Sequence, residues 1–180
     1  KYLYKATTAS SYDTIDLSTE NISIIGVDAF DNFKEKETRE LKHVKKVLLG
    51  NAVTKIYDNA FSYLNNLEEI DISSTVIEYI SESALQGTKL LDDKFAREED
   101  VIFGNALYRV TKPDITEYTI PGAVTTIADR AFKSQHKLKT VTNLDGVNKI
   151  GKYAFKDSLE FLKEHKNAEG LVVVNKKVIA

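Results

Sequence analysis

The sequence predicts an α/β, mainly β, solenoid in which short segments coil around one axis and form a single domain over residues 1–180. A nine-residue phrase recurs five times: an apolar residue, two variable residues, Ile, three variable residues, Ala, and Phe or Leu. A shorter alternating phrase precedes most copies, and the two best-spaced pairs of copies lie 23 and 24 residues apart. Self-similarity at a fixed period indicates stacked units rather than a closed globule.

The nine-residue phrase supplies most of the predicted core. Its copies occupy residues 22–30, 53–61, 77–85, 124–132 and 147–155. In the second copy Ile56 and Ala60 are four residues apart, as on one face of a helix, so we expect a short helix or helical turn behind the sheet. We expect Ala60 to let neighbouring coils approach closely and Phe61 to fill the space between them.

The shorter phrase is clearest in Leu67-x-x-Ile70-x-Ile72, where apolar and variable positions alternate. Such alternation predicts a short strand with one face buried, and one strand per coil would stack into a parallel sheet. Related phrases begin at Ile15, Val44, Ile115 and Leu138.

These phrases closely resemble the BspA-like leucine-rich-repeat family over about residues 12–180. The resemblance rests on Val53-x-x-Ile56-x-x-x-Ala60-Phe61 and on Ile120-Pro121-x-x-Val124-x-x-Ile127-x-x-x-Ala131-Phe132. It implies a right-handed leucine-rich-repeat superhelix and a secreted or surface-anchored bacterial protein, since several such proteins are adhesins for host matrix or other cells. Family members often have Cys soon after the Ala-Phe pair, and this chain has no Cys.

Two longer segments, at about 86–123 and 156–180, interrupt the regular spacing. Residues 101–110 read as two strands around the turn Gly104-Asn105, and residues 171–180 have the same strand-turn-strand shape. We therefore expect β-hairpin insertions in both segments, as the resemblance also implies.

The long first interval holds a charged insertion at residues 31–43. We expect a solvated helix there, with Glu35 and Arg39 paired at i,i+4; the alternative is a protruding contact for a charged ligand. Because the chain contains no Met, we expect it to be a fragment of a longer protein.

Composition argues against several classes of function. The formal net charge is -2 and no Lys/Arg stripe is interleaved with aromatic residues, so we expect no nucleic-acid partner. No stretch approaches the roughly 18 apolar residues that span a bilayer, so we expect no direct membrane insertion. Without Cys there can be no disulfide or thiolate metal site, and we expect no metal and no cofactor.

No catalytic centre can be assembled from the sequence. His43, His136 and His165 lie in different charged stretches, where we expect surface histidines. The eight glycines form no phosphate-binding motif, and no Ser has the context of a nucleophile elbow. We therefore predict that the chain is not an enzyme.

The exposed face of the predicted sheet is the candidate binding surface. If Ile70 and Ile72 point inward, Glu69 and Asp71 point outward, and the same register orients the variable residues of the other strands outward. Two columns result, one beginning at Thr14 and the other at Asp16. The candidate protein-binding residues in these columns are Lys46, Leu48, Glu69, Asp71, Glu117, Thr119, Thr140 and Thr142.

Two functions fit a scaffold with such a face. The first is a non-catalytic binding module on a bacterial cell surface, an adhesin or protein-interaction domain whose ligand is a protein or another cell-surface molecule such as host matrix. The second is a structural or intracellular scaffold that spaces other domains or self-associates.

Overall fold

The computed structural model describes residues 2–3, 13–30, 41–62, 64–72, 76–174 and 176–179. The chain divides into two compact units, Lys1–Arg97 and Glu98–Ala180. The single-domain organisation stays a prediction. The Glu35–Arg39 pair and residues 31–40 of the helix expected at 31–43 lie outside the described residues.

The first unit contains two parallel ladders of short strands. The first ladder is formed from the alternating phrases, and the second from the nine-residue phrases and a strand near the N-terminus. The first ladder has the order β2 (Thr14–Asp16), β4 (Lys46–Leu48) and β6 (Glu69–Asp71). The second has the order β1 (Tyr2–Leu3), β3 (Ile24–Ile25), β5 (Lys55–Ile56) and β7 (Tyr79–Ile80). The unit ends with helix α1 (Lys89–Ala96).

The second unit repeats both ladders and adds two hairpins. Its first ladder pairs β10 (Glu117–Thr119) with β12 (Thr140–Thr142). Its second ladder places β13 (Lys149–Ile150), β11 (Thr126–Ile127), β9 (Ala106–Arg109) and β8 (Val101–Phe103) side by side. Helix α2 (Leu159–Glu164) precedes the final strands β14 (Val172–Val174) and β15 (Lys177–Ile179).

Both predicted hairpins are present. Strands β8 and β9 pair antiparallel across the turn at Gly104, which adopts a left-handed φ of 53°. Strands β14 and β15 also pair antiparallel. The short helices α1 and α2, which precede the hairpins in the chain, were not predicted from the sequence.

The nine-residue phrase was expected to form a short helix or helical turn; it forms a strand followed by a hydrogen-bonded turn, so the helix is wrong. Ile56 lies in strand β5, and a turn follows in which the N–H of Ala60 donates to the carbonyl of Tyr57 at 3.3 Å. The residue before the Ala adopts a left-handed conformation in four copies, which stops helical hydrogen bonding. These four residues are Asp28, Asn59, Arg130 and Tyr153, with φ between 52° and 56°. Each regular coil therefore contributes two short strands rather than one strand and a helix.

The recurrent Ala and Phe form the core as predicted. The Phe30 and Phe61 rings stack with centroids 5.0 Å apart, and the Phe132 and Phe155 rings stack at 4.6 Å. Ala60, like its counterparts in the other copies, is buried, which allows the backbone of Phe30 to donate to its carbonyl at 2.7 Å. Side-chain stacking and backbone hydrogen bonds thus join the same neighbouring coils.

Candidate protein-binding surface

The outer face of the first ladder in the first unit has the predicted register. Thr14, Lys46 and Glu69 are aligned in one column. The second column aligns Asp16, Leu48 and Asp71. Between the columns Val47 is fully buried, whereas Glu69 and Asp71 are exposed, because successive side chains of a strand point to opposite faces.

The second unit shows the same alternation in its own two-stranded first ladder. Glu117 pairs with Thr140, and Thr119 pairs with Thr142. All four residues are exposed. The hydroxyl of Thr142 donates to that of Thr119 at 3.0 Å, which fixes the relative orientation of these two side chains. The candidate residues are therefore grouped in two sheets, one in each unit.

Electrostatic interactions organise the face in the first unit. The Lys46 Nζ lies 2.7 Å from Glu69 Oε1, and this hydrogen bond raises the pKa of Lys46 against an opposing effect of desolvation. Asp16 accepts hydrogen bonds on Oδ1 from the hydroxyl of Ser18 at 2.6 Å and from its N–H at 2.9 Å, and both lower the pKa of Asp16. The face thus combines one Lys-Glu pair with the carboxylates of Asp16 and Asp71.

Leu48 adds a small apolar element to this polar face. Its side chain points outward by the register but is half-buried rather than fully exposed. A half-buried leucine beside ordered charges can contribute apolar contact to a protein partner, while the charges set orientation and exclude mismatched surfaces.

The histidines form no site. His43 and His136 are exposed. The half-buried His165 ring packs at a tilt against Phe161, with ring centroids 4.2 Å apart and its Nδ1 2.8 Å from the Phe161 carbonyl oxygen. Within the described ranges, no three His, Cys, Asp or Glu residues are placed to hold a metal ion. The described helices are all too short and too polar to cross a membrane.

Three tyrosines pack against other aromatic rings, although one of them, Tyr118, lies in strand β10 of the first ladder. Tyr79 lies beside Tyr57 on the second ladder, with ring centroids 5.4 Å apart. Tyr108 is buried against Phe103, and Tyr118 packs edge-on against Phe132. These tyrosines therefore pack against separate partners and supply no aromatic cluster to the candidate face.

Sequence reasoning missed a cluster of cations around Tyr153 in the second unit. The Lys152 ammonium lies 4.9 Å from the centroid of the Tyr153 ring, the Lys156 ammonium 5.3 Å and the Arg130 guanidinium carbon 5.4 Å. Arg130 belongs to the coil before the other three residues, so only the stacking of coils brings it to the ring. The recurrence of the phrase at a spacing of 23 residues was the available signal for this proximity.

Comparison with protein-family models agrees with this architecture. The family model described as the BspA type leucine rich repeat region matches residues 35–162 in six copies. No curated protein matches the sequence.

Two solved structures are similar to the chain. One is a leucine-rich repeat protein from Bacteroides ovatus, at 21% identity and a TM-score of 0.40 over 78% of this chain and 34% of that one. The other is a leucine rich cell surface protein from Faecalibacterium prausnitzii, at 21% identity and a TM-score of 0.36 over 77% of this chain and 41% of that one. The chain therefore spans well under half the length of either structure.

Proposed function

Because the chain belongs to the BspA-type leucine-rich-repeat family, we propose that it is a non-catalytic protein-binding module displayed on a bacterial cell surface. Its partner is a protein outside the cell, with host matrix as the first candidate. The binding surface is the outer face of the first ladder, which carries Lys46, Leu48, Glu69 and Asp71 in the first unit and Glu117, Thr119, Thr140 and Thr142 in the second.

The observation that carries the proposal is the register of that face. Lys46 pairs with Glu69 and Leu48 with Asp71 across adjacent parallel strands, while Val47 between the two columns is buried in the core. The fold requires the inward positions to be apolar but leaves the outward positions free to suit a ligand. A preformed surface also pays little entropy for ordering when it binds.

The face can be tested with purified matrix proteins. We expect immobilised collagen, fibronectin or laminin to bind the chain saturably in surface plasmon resonance. Replacing Lys46, Leu48, Glu69 and Asp71 together by Ala should weaken that binding at least about tenfold, because the central contacts of an interface carry most of its energy.

A matched control comes from the second ladder of the same unit. Lys55 and Glu78 form another cross-coil ion pair there, with Nζ and Oε2 3.8 Å apart. The double substitution Lys55→Ala and Glu78→Ala should leave matrix binding within about twofold, because it removes a comparable charge pair from a different ladder. An equal loss in this control would refute the assignment of the face, and no binding to any of the three proteins would refute a matrix partner.

Cell-surface display is tested separately on the organism that encodes the chain. We expect antibodies against it to label intact cells, and external protease to remove the signal. Labelling only after lysis would contradict surface display and favour the scaffold alternative.

A further inference from the structure

The cation cluster around Tyr153 lies on the turns that follow strands β11 and β13 of the second ladder, and not on the first ladder of that unit. Lys152 and Lys156 are exposed, and Tyr153 and Arg130 are half-buried. Among the described residues, no carboxylate lies within ion-pair distance of the Lys152 or Lys156 ammonium. Three positive charges are thus gathered around one ring, which favours the binding of an anion there.

The two nearby carboxylates, Asp129 and Asp157, accept backbone hydrogen bonds at the turns. Asp129 Oδ1 accepts the backbone N–H of Lys152 at 2.7 Å, and Asp157 Oδ2 accepts the backbone N–H of Ser134 at 2.8 Å. These bonds connect one coil to the next.

The other repeats show that the fold itself does not need this cluster. In the first unit, the positions equivalent to Arg130 and Tyr153 are occupied by Asn59 and Ser83. The positions equivalent to Lys152 are Asp58 and Glu82, which are acidic. In these copies the turn is stabilised by hydrogen bonds such as that from the Asn59 N–H to the Ser83 hydroxyl, at 3.1 Å. The same turn therefore forms without cations.

The backbone conformation strengthens this comparison. Arg130 and Tyr153 adopt φ values of 52° and 56°, in the left-handed region that Asn and Asp tolerate better than bulkier residues. Asn59 and Asp28 occupy the same position in the first unit at 53° and 54°. The second unit therefore places two less favourable residue types where Asn would fit, which is the pattern that a function of their side chains would produce.

We propose that Arg130, Lys152, Tyr153 and Lys156, here called the Tyr153 patch, form a binding subsite for a sulfated glycan. Sulfate groups would accept charge-assisted hydrogen bonds from the three cations. The C–H face of a sugar ring would pack on the Tyr153 ring, whose negative face attracts the slightly positive C–H groups. This subsite is distinct from the protein-binding face and would bind a second class of ligand.

The arrangement suits a glycan better than other polyanions. The ring contributes a flat apolar surface that acidic side chains of a peptide would leave unused. A nucleic acid needs a basic groove that follows several nucleotides, with stacking platforms along it. The Tyr153 patch is too short for such a groove, because it spans only two adjacent coils, whose strands lie about 4.8 Å apart. Its neighbours in the sequence, Asp129 and Asp157, are acidic and would repel a longer polyanion.

The test uses a fluorescein-labelled octasaccharide of heparin, titrated with the full chain and followed by fluorescence anisotropy. We expect saturable binding that weakens as salt is added. Lys152→Ala combined with Lys156→Ala should lower the affinity about tenfold or more, because two charge-assisted contacts are lost. Tyr153→Asn should lower it at least about threefold through loss of the ring, while the turn is kept because Asn fits its backbone.

The matched control removes two other exposed lysines of the same unit. Lys137 pairs with Asp114 at 3.1 Å and Lys163 with Glu160 at 2.7 Å, so each already has a carboxylate partner. Lys137→Ala with Lys163→Ala changes the net charge equally and should alter the affinity less than about twofold.

Three results would overturn the proposal: no binding by the unmodified chain, an equal loss in this control, or equal competition by polyglutamate or oligothymidylate of the same charge. Circular dichroism of each variant separates a lost contact from a lost fold. Loss of matrix-protein binding in the first-ladder variants has no bearing on this assay, so the two proposals can fail independently.

Discussion

The rings of Phe132 and Phe155 stack with centroids 4.6 Å apart and planes inclined by 22°, in two successive coils of the second unit. The same coils are joined by a backbone bond from the Phe132 N–H to the Ala154 carbonyl, at 3.0 Å. Both rings are almost completely buried. Residues that are 23 positions apart in the sequence therefore lie next to each other in neighbouring coils, and their side chains and backbones are in direct contact.

Removing one ring of this stack should strongly destabilise the chain. We expect Phe132→Ala to lower the free energy of unfolding by about 3–5 kcal/mol, because it leaves a large cavity between coils. Phe95→Ala provides the control, since Phe95 of α1 is 44% exposed and should cost less than about 1 kcal/mol. Urea unfolding followed by circular dichroism measures both, and similar losses would contradict the packing described.

Gly151 permits a close approach of two coils. A Cβ at this position would lie 2.4 Å from the Asp129 backbone nitrogen and 2.5 Å from the Ala128 carbonyl carbon. We expect Gly151→Ala to cost about 2 kcal/mol or more, because backbone atoms cannot move aside as a flexible side chain can. At Gly146 the added methyl would meet nothing within 4 Å, so Gly146→Ala should change stability by less than about 1 kcal/mol. Thermal denaturation of the two variants gives the comparison, and equal melting temperatures would refute it.

The two short helices should respond differently to loss of the residue at their N-cap. Thr88 Oγ1 accepts the N–H of Leu91 at 3.2 Å, so Thr88→Ala should cost about 1 kcal/mol. Ser158 makes no side-chain cap bond to α2, and its buried hydroxyl has no partner. Ser158→Ala should therefore change stability by less than about 0.5 kcal/mol. Chemical denaturation distinguishes the pair, and a larger loss for Ser158 would contradict this assignment of the caps.

Tyr118 should remain protonated well into the alkaline range. Desolvation raises its pKa, and the hydrogen bond from its hydroxyl to Asp100 Oδ2, at 2.5 Å, raises it further. Because the folded pKa lies above the unfolded value of about 10, the stabilisation is complete below that pH and is lost as the pH rises through the folded pKa. Absorbance titration of the phenolate should therefore show no difference between the unmodified chain and Tyr118→Phe until the protein unfolds. An additional tyrosine ionising near pH 10 in the unmodified folded chain would contradict this.

The repeated core could be predicted because burial imposes the same residue types on every coil. Phe61 and Ala60 were correctly assigned to the contacts between coils. The helix around Ile56 was predicted wrongly because a spacing of four residues fits both a helix and a strand followed by a turn. The left-handed backbone at Asn59 favours the strand and turn. Arg130 and Tyr153 adopt the same conformation, but neither residue type is typical of it, so the sequence gives no indication of the turn there. Helix α1 has no buried residue, so its sequence has no apolar stripe from which a helix could be predicted.

The sequence predicts which residues of the first ladder point outward, but not what those residues bind. Glu69 and Asp71 flank Ile70, so their outward direction follows from alternation, and the pairing of β4 with β6 aligns them with Lys46 and Leu48. Whether a protein binds there stays a prediction. The Tyr153 patch escaped sequence reasoning because Arg130 reaches the ring from the preceding coil.

The pairing of Glu117 with Thr140, one coil apart, has a consequence for how such chains can change in length. Duplicating or deleting one complete coil would preserve which side chains face water in every other coil. Inserting a single residue into a strand would instead turn its charged positions toward the interior. Chains of this kind should therefore become longer or shorter by whole coils, and the outward-facing residues of the remaining coils would be unchanged.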